Sequence, residues 1–231
     1  MDYSGRHVVV TGGTGALGTA LVGALIAAGA TCHIPHRHGE VLEHFPHRDH
    51  PQAKLVPGVE LADEAAVAEF FAAVPQLWAS IHLAGGFAAG RVGDTGKDAL
   101  MGQIEVNLAT CFLCCRAAVN AMGAAGGRIV NVAARPALEW RAGAGMAAYA
   151  VSKVAVAALT VALAEEVVDN GILVNAVAPS TMDTPANRRA MPKADYTAWP
   201  KVEEVAATIA FLASPENKVT RGAIVPVYGK S

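Results

Sequence analysis

The sequence predicts a single α/β domain in which helices cover both faces of one doubly wound parallel sheet. Short apolar runs rich in Val and Ile alternate along the chain with longer segments of helical composition. Strands joined by helices pair in parallel, because a crossover helix returns the chain to the same end of the sheet. The length of 231 residues suits one large domain, and we find no linker, repeat or low-complexity tract that divides residues 1–231.

The strands are recognised as short β-branched runs that end at glycine, proline or polar residues. We expect them at 7–10, 31–34, 80–84, 128–133, 173–178 and 223–227. The helices are recognised as longer segments rich in Ala and Leu. We expect them at 16–28, 65–73, 97–122, 147–168 and 203–213. Gly102 should soften the third helix, and Gly171 fits the C-terminal cap of the fourth.

Composition narrows the class of protein. Hydrophobic residues make up 53% of the chain and charged residues 16%, which indicates a well-packed core and not a disordered chain. The net charge of −2 gives no electrostatic reason to expect nucleic acid or an anionic membrane as a partner. No uncharged apolar run reaches the roughly 18–20 residues of a membrane span, and the first residues do not resemble a signal peptide. We therefore expect a cytoplasmic protein.

The four cysteines are Cys32, Cys111, Cys114 and Cys115. The spacing of Cys111 and Cys114 is compatible with a metal or redox site. The sequence around them lacks a second cysteine pair or a nearby histidine, and it reads as helix. We expect reduced thiols packed in a helix, and no bound metal.

A glycine-rich turn follows the first predicted strand and opens the first predicted helix. Small residues let the backbone approach a pyrophosphate, and the helix N-terminus supplies free N–H groups to it. In this position the turn is typical of dinucleotide binding by a Rossmann-type sheet. The expected contact residues are Gly12, Thr14, Gly15, Ala16, Leu17 and Gly18.

The end of the second strand indicates which nicotinamide cofactor fits. An acidic residue there would bind the adenosine ribose, whereas an arginine would accept the 2′-phosphate of NADP(H). The chain has His36 and Arg37 at this point and no carboxylate. We therefore favour NADP(H) over NAD(H), with Arg37 as an ordinary solvated cation the alternative.

Six histidines lie between His33 and His50. Such a density suggests metal binding. The segment contains Pro35 and Pro46, is followed directly by Pro51, and lacks a regular ligand spacing, so a flexible polar loop is the favoured interpretation.

Tyr149 and Lys153 stand four residues apart on the predicted helix 147–168. This spacing places a phenol and an ammonium group on one helical face. A neighbouring cation favours the phenolate and eases proton exchange, so we expect Tyr149 to act as a proton donor and acceptor.

Together these motifs resemble the short-chain dehydrogenase/reductase family over nearly the whole chain. The glycine turn, Ala84-Gly85-Gly86, Asn107, the Tyr149/Lys153 pair and Asn175-Ala176-Val177-Ala178-Pro179 follow in the family's order. The turn departs from the commoner family pattern, because Ala16 takes the place of its middle glycine.

The resemblance implies an NADP(H)-dependent oxidoreductase in which Tyr149 exchanges the substrate proton. Lys153 would bind the nicotinamide ribose and lower the pKa of Tyr149, and Asn107 would hold a water that links Lys153 to solvent. The alternative for Asn107 is a local helix bend satisfied by side chain to backbone hydrogen bonds. Further cofactor contacts are implied at Glu60, Leu61, Ala84, Gly85, Gly86, Pro179, Thr181 and Thr184.

The family's usual catalytic serine is missing. Ala134 occupies its position after the strand, and Ser152 projects about 100° away from Lys153 on the helix. The serine normally stabilises charge that develops on a substrate carbonyl. Loss of such a donor typically costs about 10²–10³ in rate, which argues against ordinary ketone reduction.

One branch of the family, the dihydropteridine reductases, also has Ala at this position. The chain is similar to that branch in the glycine turn, in the segment that contains Phe87, and in 183–199. A quinonoid dihydropterin is an imine-like acceptor that needs less oxyanion support than a ketone. Phe87 and Trp199 are expected to stack on such a flat substrate, with ordinary packing as the alternative.

Three further expectations remain. We expect the segment 181–199 to close over the substrate as a lid. The apolar helices suggest a homodimer or homotetramer whose interface buries 111–122 and 154–164, within helices at about 98–122 and 147–168. A different class of function is a sensor or scaffold that binds NADP(H) with little catalysis, as the missing serine would allow.

Overall fold

The computed structural model describes residues 1–37 and 43–231, in which seven parallel strands form one sheet. The strands are β1 (His7–Thr11), β2 (Thr31–His36), β3 (Ala53–Pro57), β4 (Leu77–His82), β5 (Gly127–Val132), β6 (Ile172–Pro179) and β7 (Ile224–Val227). Their order is β3-β2-β1-β4-β5-β6-β7. From β1 the chain adds β2 and β3 on one side of the sheet, and it then returns to add β4 to β7 on the other side. The doubly wound parallel sheet is confirmed, and the crevice expected of this topology lies at the carboxyl ends of the neighbouring strands β1 and β4, between which the winding reverses.

Helices cover both faces of this sheet. They are α1 (Ala16–Ala27), α2 (Glu64–Ala72), α3 (Lys97–Ile104), α4 (Thr110–Met122), α5 (Ala147–Glu166), α6 (Pro185–Ala190) and α7 (Val202–Ala213). One core cluster joins α1 and α7 to the sheet, and the other joins α2, α4 and α5 to the opposite face. Each face of the sheet is thus closed by its own apolar core.

The sequence prediction missed β3 and ended β2 too early. Pro35 lies inside β2, where a proline normally argues against a strand because it lacks an N–H donor. The β1 register with β2 ends at His33, whereas β3 continues to pair with β2 as far as His36. Pro35 therefore lies beyond the residues of β2 that pair with β1, so β1 loses no hydrogen bond through the missing N–H of Pro35.

The histidine segment is not one loop. His33 and His36 belong to β2, and His47 contacts the Thr19 carbonyl oxygen at 3.2 Å. Among the described residues these histidines do not form a three-ligand group. His38 lies outside the described residues.

The long helix at 97–122 changes its winding at Glu105–Ala109, not at Gly102. A π turn occupies these five residues between α3 and α4. Such turns are frequent at functional sites, because the extra residue redirects a side chain. Here the turn contains Asn107.

The two longest helical segments, Lys97–Ala125 and Ala147–Glu166, are apolar and long enough to cross a membrane by length and composition alone. Their inner faces pack on the sheet, and they bury Asn107 and Lys153. They are therefore core helices of this fold. Within 111–122, Cys111, Cys114, Cys115, Ala118 and Met122 point into the chain's own core, which leaves only the outward side for a partner.

Candidate functional site

The glycine turn depends on close backbone contacts. Gly12 has φ +65°, and a Cβ there would lie 2.8 Å from the Ala84 nitrogen at the end of the neighbouring strand. A Cβ on Gly18 would collide with the Gly12 carbonyl oxygen. Gly15 caps α1 without a side-chain hydrogen bond, so the first N–H groups of that helix remain available to an anion.

A cavity of about 810 Å³ lies on the β2 side of this turn, and we call it the β2-side cavity. The sequence-predicted residues that line it are Gly12, Thr14, His36, Arg37, Glu60, Leu61, Ala84 and Gly85. The sequence analysis missed other lining residues, including Pro35, Val59, Ala62, Asp63, Gly102, Glu105, Val106 and Thr110. Most of these residues lie on loops or on α3 and its π turn, whereas Pro35 lies in β2 and Thr110 begins α4. Local sequence patterns at these positions do not indicate a ligand.

Charge in the β2-side cavity is partly paired. The Arg37 guanidinium lies 3.3 Å from the Glu60 carboxylate, and both side chains are about half exposed. A solvent-exposed ion pair of this kind contributes little to stability and is easily rearranged. Arg37 can therefore release the Glu60 carboxylate and bind another anion in its place.

A second cavity of about 320 Å³ adjoins the first, since Gly12 and Gly85 line both. We call it the Tyr149 cavity. The sequence-predicted residues that line it are Gly12, Gly15, Ala16, Leu17, Gly18, Gly85, Gly86, Phe87, Asn107, Ala134, Tyr149, Lys153, Pro179 and Thr184. Ser180, Met182 and Asn187 also line it and were not named as site residues, although Met182 and Asn187 lie within the expected lid 181–199. For Ser180, the local signal is the proline that ends β6.

Tyr149 and Lys153 do meet in this cavity, but their electrostatics differ from the prediction. The Lys153 Nζ atom donates a hydrogen bond of 2.8 Å to the Val132 carbonyl oxygen and lies 6.0 Å from the centre of the Tyr149 ring. Burial raises the pKa of Tyr149 to about 12, and burial lowers the pKa of Lys153 to about 8. The expected lowering of the Tyr149 pKa is therefore wrong for this structure, because desolvation outweighs the cation at this distance.

Asn107 ties the π turn to the loop after β4. Its Oδ1 accepts from the Gly86 N–H at 3.1 Å, and its Nδ2 donates to the Gly86 carbonyl oxygen at 2.9 Å. A Cβ on Gly85 would lie 2.7 Å from this Oδ1 and 3.5 Å from the Lys153 Nζ. The local bonding foreseen as the alternative is also present, since Nδ2 donates to the Gln103 carbonyl oxygen at 3.2 Å within the helix. The bonds to Gly86 hold the wall beside Lys153.

The substrate-side prediction is met only in part. The Phe87 ring packs edge-on against Tyr149 at 5.0 Å and is 62% exposed, so it is available to a ligand. Ala134 is buried in the wall, and Ser152 instead donates to the Tyr149 carbonyl oxygen at 2.7 Å. Among the described residues that line the cavity, Thr181 and Trp199 do not appear, and the Trp199 ring packs on Tyr196.

The proposed lid is built around α6. Thr184 caps this helix by accepting from the Asn187 N–H at 3.1 Å, and a bidentate pair joins Arg188 to Asp183. Met182, Thr184 and Asn187 bring the start of the segment to the Tyr149 cavity. The segment 181–199 therefore borders the site at its first turn.

Comparison with known proteins agrees with this geometry. Residues 6–195 match the family model described as short chain dehydrogenase. A 2-dehydro-3-deoxy-L-rhamnonate dehydrogenase (NAD(+)) of Sphingomonas sp. strain SKA58 is 31% identical, over 98% of this chain and 95% of its own. A 2,3-dihydro-2,3-dihydroxybenzoate dehydrogenase of Escherichia coli K12 is 30% identical, over 81% and 74%. A blue fluorescent protein from a metagenomic library, solved in complex with NADPH, superposes with a TM-score of 0.88 at 26% identity, over 100% and 99%.

Proposed function

Because the chain belongs to the short-chain dehydrogenase family, we propose that it transfers hydride between NADP(H) and a small carbonyl or conjugated, imine-like substrate, with Tyr149 as the proton donor and acceptor. The observation that carries the proposal is the convergence of Tyr149, Lys153 and the glycine turn on one cavity. The two adjoining cavities suit the two halves of a dinucleotide.

The residues of the Tyr149 cavity suit proton transfer in the direction of reduction. With a pKa of about 12, the Tyr149 phenol is protonated at neutral pH, as a proton donor must be, although the raised pKa also makes it a weaker acid than a free tyrosine. Lys153 has a pKa of about 8 and exchanges protons readily near neutral pH. We infer that Lys153 holds the nicotinamide ribose and resupplies the proton that Tyr149 gives up.

Tyr149→Phe tests this mechanism. Turnover should fall by about 10²–10⁴, the usual contribution of general acid catalysis, while the dissociation constant for NADPH stays within about threefold. Tyr3→Phe is the control, since the Tyr3 hydroxyl bonds Ala210 in the distant core. A Tyr149→Phe enzyme that turns over at the native rate would show that the proposed proton donor is wrong.

We propose a planar, electron-poor acceptor as the substrate class, as in the dihydropteridine reductase branch. Ala134 supplies no hydroxyl to a developing oxyanion, and the exposed Phe87 ring offers a stacking surface beside Tyr149. A panel of ketone, enone and quinonoid pterin substrates, followed through NADPH absorbance, tests it. Faster turnover of simple ketones than of the conjugated substrates would contradict the assignment.

The preference for NADP(H) rests on Arg37. Its guanidinium lines the β2-side cavity, where a ribose phosphate would compete with Glu60. The relatives' names support both cofactors, since one includes NAD(+) and one structural neighbour was solved with NADPH. Arg37→Ala should weaken NADPH binding by about 10-fold or more and leave NADH binding unchanged. Arg48→Ala, which removes another exposed arginine, serves as the control; equal loss for both cofactors would contradict the preference.

We propose a cytoplasmic homodimer or homotetramer that associates through the outward sides of α4 and α5. Phe112 is 51% exposed on α4, and Val151 and Val161 are 54% and 45% exposed on α5. Exposed apolar side chains on neighbouring helices are typical of a protein interface. We also propose that 181–199 closes over the substrate, with α6 as its moving part.

A further inference from the structure

Three soft or borderline ligand atoms converge in the core behind the Tyr149 cavity. His82 comes from the end of β4, and Cys111 and Cys115 come from successive turns of α4. One donor atom from each lies within 4.8 Å of the others, and all three residues are at most 5% exposed. The sequence spacing concealed this group, because Cys111 pairs with Cys115 and not with Cys114, and the histidine is distant in the chain.

Asn131 of β5 adds an oxygen to the group. Its Oδ1 lies 2.8 Å from the His82 Nδ1 and 3.5 Å from the Cys115 Sγ. Its Nδ2 donates to the Thr160 hydroxyl at 2.9 Å, which fixes the orientation of the amide. The oxygen therefore faces the Cys115 sulfur atom and the imidazole.

The second ring nitrogen of His82 also has a hydrogen-bond partner. The Ser80 hydroxyl lies 2.7 Å from the His82 Nε2. Without a cation, the His82 Nδ1–H donates to the Asn131 Oδ1, and the Ser80 hydroxyl donates to Nε2. A cation bound at Nδ1 requires that this proton move to Nε2, where the Ser80 hydroxyl oxygen can accept it. Metal-binding histidines almost always use the second nitrogen in this way.

We propose that His82, Cys111, Cys115 and Asn131 bind one thiophilic divalent cation, with Zn²⁺ the ion that fits best. Zinc takes four ligands in a tetrahedron, with Zn–S near 2.3 Å and Zn–N near 2.0–2.1 Å. These bond lengths place neighbouring ligand atoms about 3.4–3.8 Å apart. The site is therefore completed when the widest separation contracts by about 1 Å and the Nδ1–Oδ1 pair, now 2.8 Å apart, opens by about 0.6 Å.

The charges also balance. Zn²⁺ displaces one proton from each cysteine thiol, and two thiolates with one Zn²⁺ leave a neutral unit in a dry core. This site is independent of the proposed hydride transfer.

Cobalt provides the direct test. Because the ligands are buried, the full chain is expressed in medium supplemented with Co²⁺, purified, and examined by absorbance and elemental analysis. We expect about one Co²⁺ per chain, an intense thiolate-to-cobalt band in the near ultraviolet and tetrahedral d–d bands in the visible. Addition of Zn²⁺ should remove these bands by displacement.

The matched variants are Cys111→Ser, Cys115→Ser and Cys114→Ser. Cys114 is 1% exposed on the same helix but lies outside the group, so its replacement controls for loss of packing. The first two variants should bind at least ~100-fold more weakly and, when loaded, show about half of the thiolate band, whereas Cys114→Ser should keep the affinity and the full band. Ser80→Ala should retain the band with about 10-fold to 100-fold weaker binding.

Two results would overturn the site. A folded wild-type chain without a thiolate-to-cobalt band would show that the cluster is only a hydrogen-bonded core, whatever the variants do. Cobalt bound without that band, as at the histidines of 33–50, would likewise place the ion elsewhere.

Discussion

Burial governs the chemistry of the two titrating residues in the Tyr149 cavity. It keeps the phenol of Tyr149 protonated, with a pKa of about 12, and brings the pKa of Lys153 down to about 8. A donor that stays protonated and an amine that exchanges near neutral pH are useful to a reductase. Charge attraction between the two side chains is not needed for this division of roles.

At the residue scale, Ala134→Ser restores a hydroxyl at the family's usual position. With a ketone substrate, turnover should rise by as much as about 10²–10³, because an oxyanion donor becomes available. With an imine-like acceptor the change should be small. Steady-state kinetics on both substrate types measure the difference, and Ala137→Ser, in the turn just beyond, is the control. Equal gains on both types would contradict the proposed substrate class.

The pKa of Lys153 also predicts a pH dependence of stability. The unfolded lysine titrates near 10.5 and the folded one near 8, so between these values the unfolded chain binds more protons. The native state therefore gains stability as pH rises through this window, by up to about 1.4 kcal/mol per unit relative to Lys153→Met. Urea unfolding of both proteins at pH 7.5, 8.5 and 9.5 measures this. A constant difference between the two proteins would mean that Lys153 is not desolvated.

At the element scale, the π turn between α3 and α4 carries Asn107 to the loop after β4. Two hydrogen bonds to Gly86 hold that loop at its distance from β1, where the glycine turn passes Ala84. The same turn lines the β2-side cavity through Glu105 and Val106. One irregular turn thus shapes both cavities.

Asn107→Ala should destabilise the protein by about 1–3 kcal/mol, because it leaves the partly buried backbone N–H and carbonyl groups of Gly86 unpaired. Cofactor affinity should fall as well, since the loop beside Lys153 is released. Asn120→Ala, on the exposed side of α4, should change the free energy of unfolding by less than about 0.5 kcal/mol. Denaturant unfolding and NADPH titration give both quantities; similar effects from the two variants would argue against a special role for the π turn.

At the scale of the whole molecule, the outward sides of α4 and α5 leave Phe112 and Val161 about half exposed. The double variant Phe112→Glu, Val161→Glu should raise the subunit dissociation constant at least ~10-fold, because charges would be buried in the interface. Sedimentation velocity across a concentration series measures the shift. Val219→Glu, at a residue 85% exposed elsewhere, is the control. A wild-type chain that sediments only as a monomer at micromolar concentration would remove the proposal.

The sequence alone determined the order of most strands and helices, the glycine turn and the Tyr149/Lys153 pair. Each of these depends on local signals, such as periodicity, a turn residue or a four-residue helical spacing. It did not reveal β3 or the full length of β2, because proline inside a strand is acceptable only when a neighbouring strand has already ended.

Only the tertiary structure decided the burial, the pKa values and the long-range contacts of these residues. The pKa values of Tyr149 and Lys153 follow from burial, which the packing of α5 on the sheet sets. Three sets of contacts join residues that are distant in the chain. They are the ion pair of Arg37 with Glu60, the hydrogen bonds of Asn107 with Gly86, and the cluster of His82 with Cys111 and Cys115. Desolvation and long-range contacts depend on where elements pack in space, and local sequence patterns do not encode that directly.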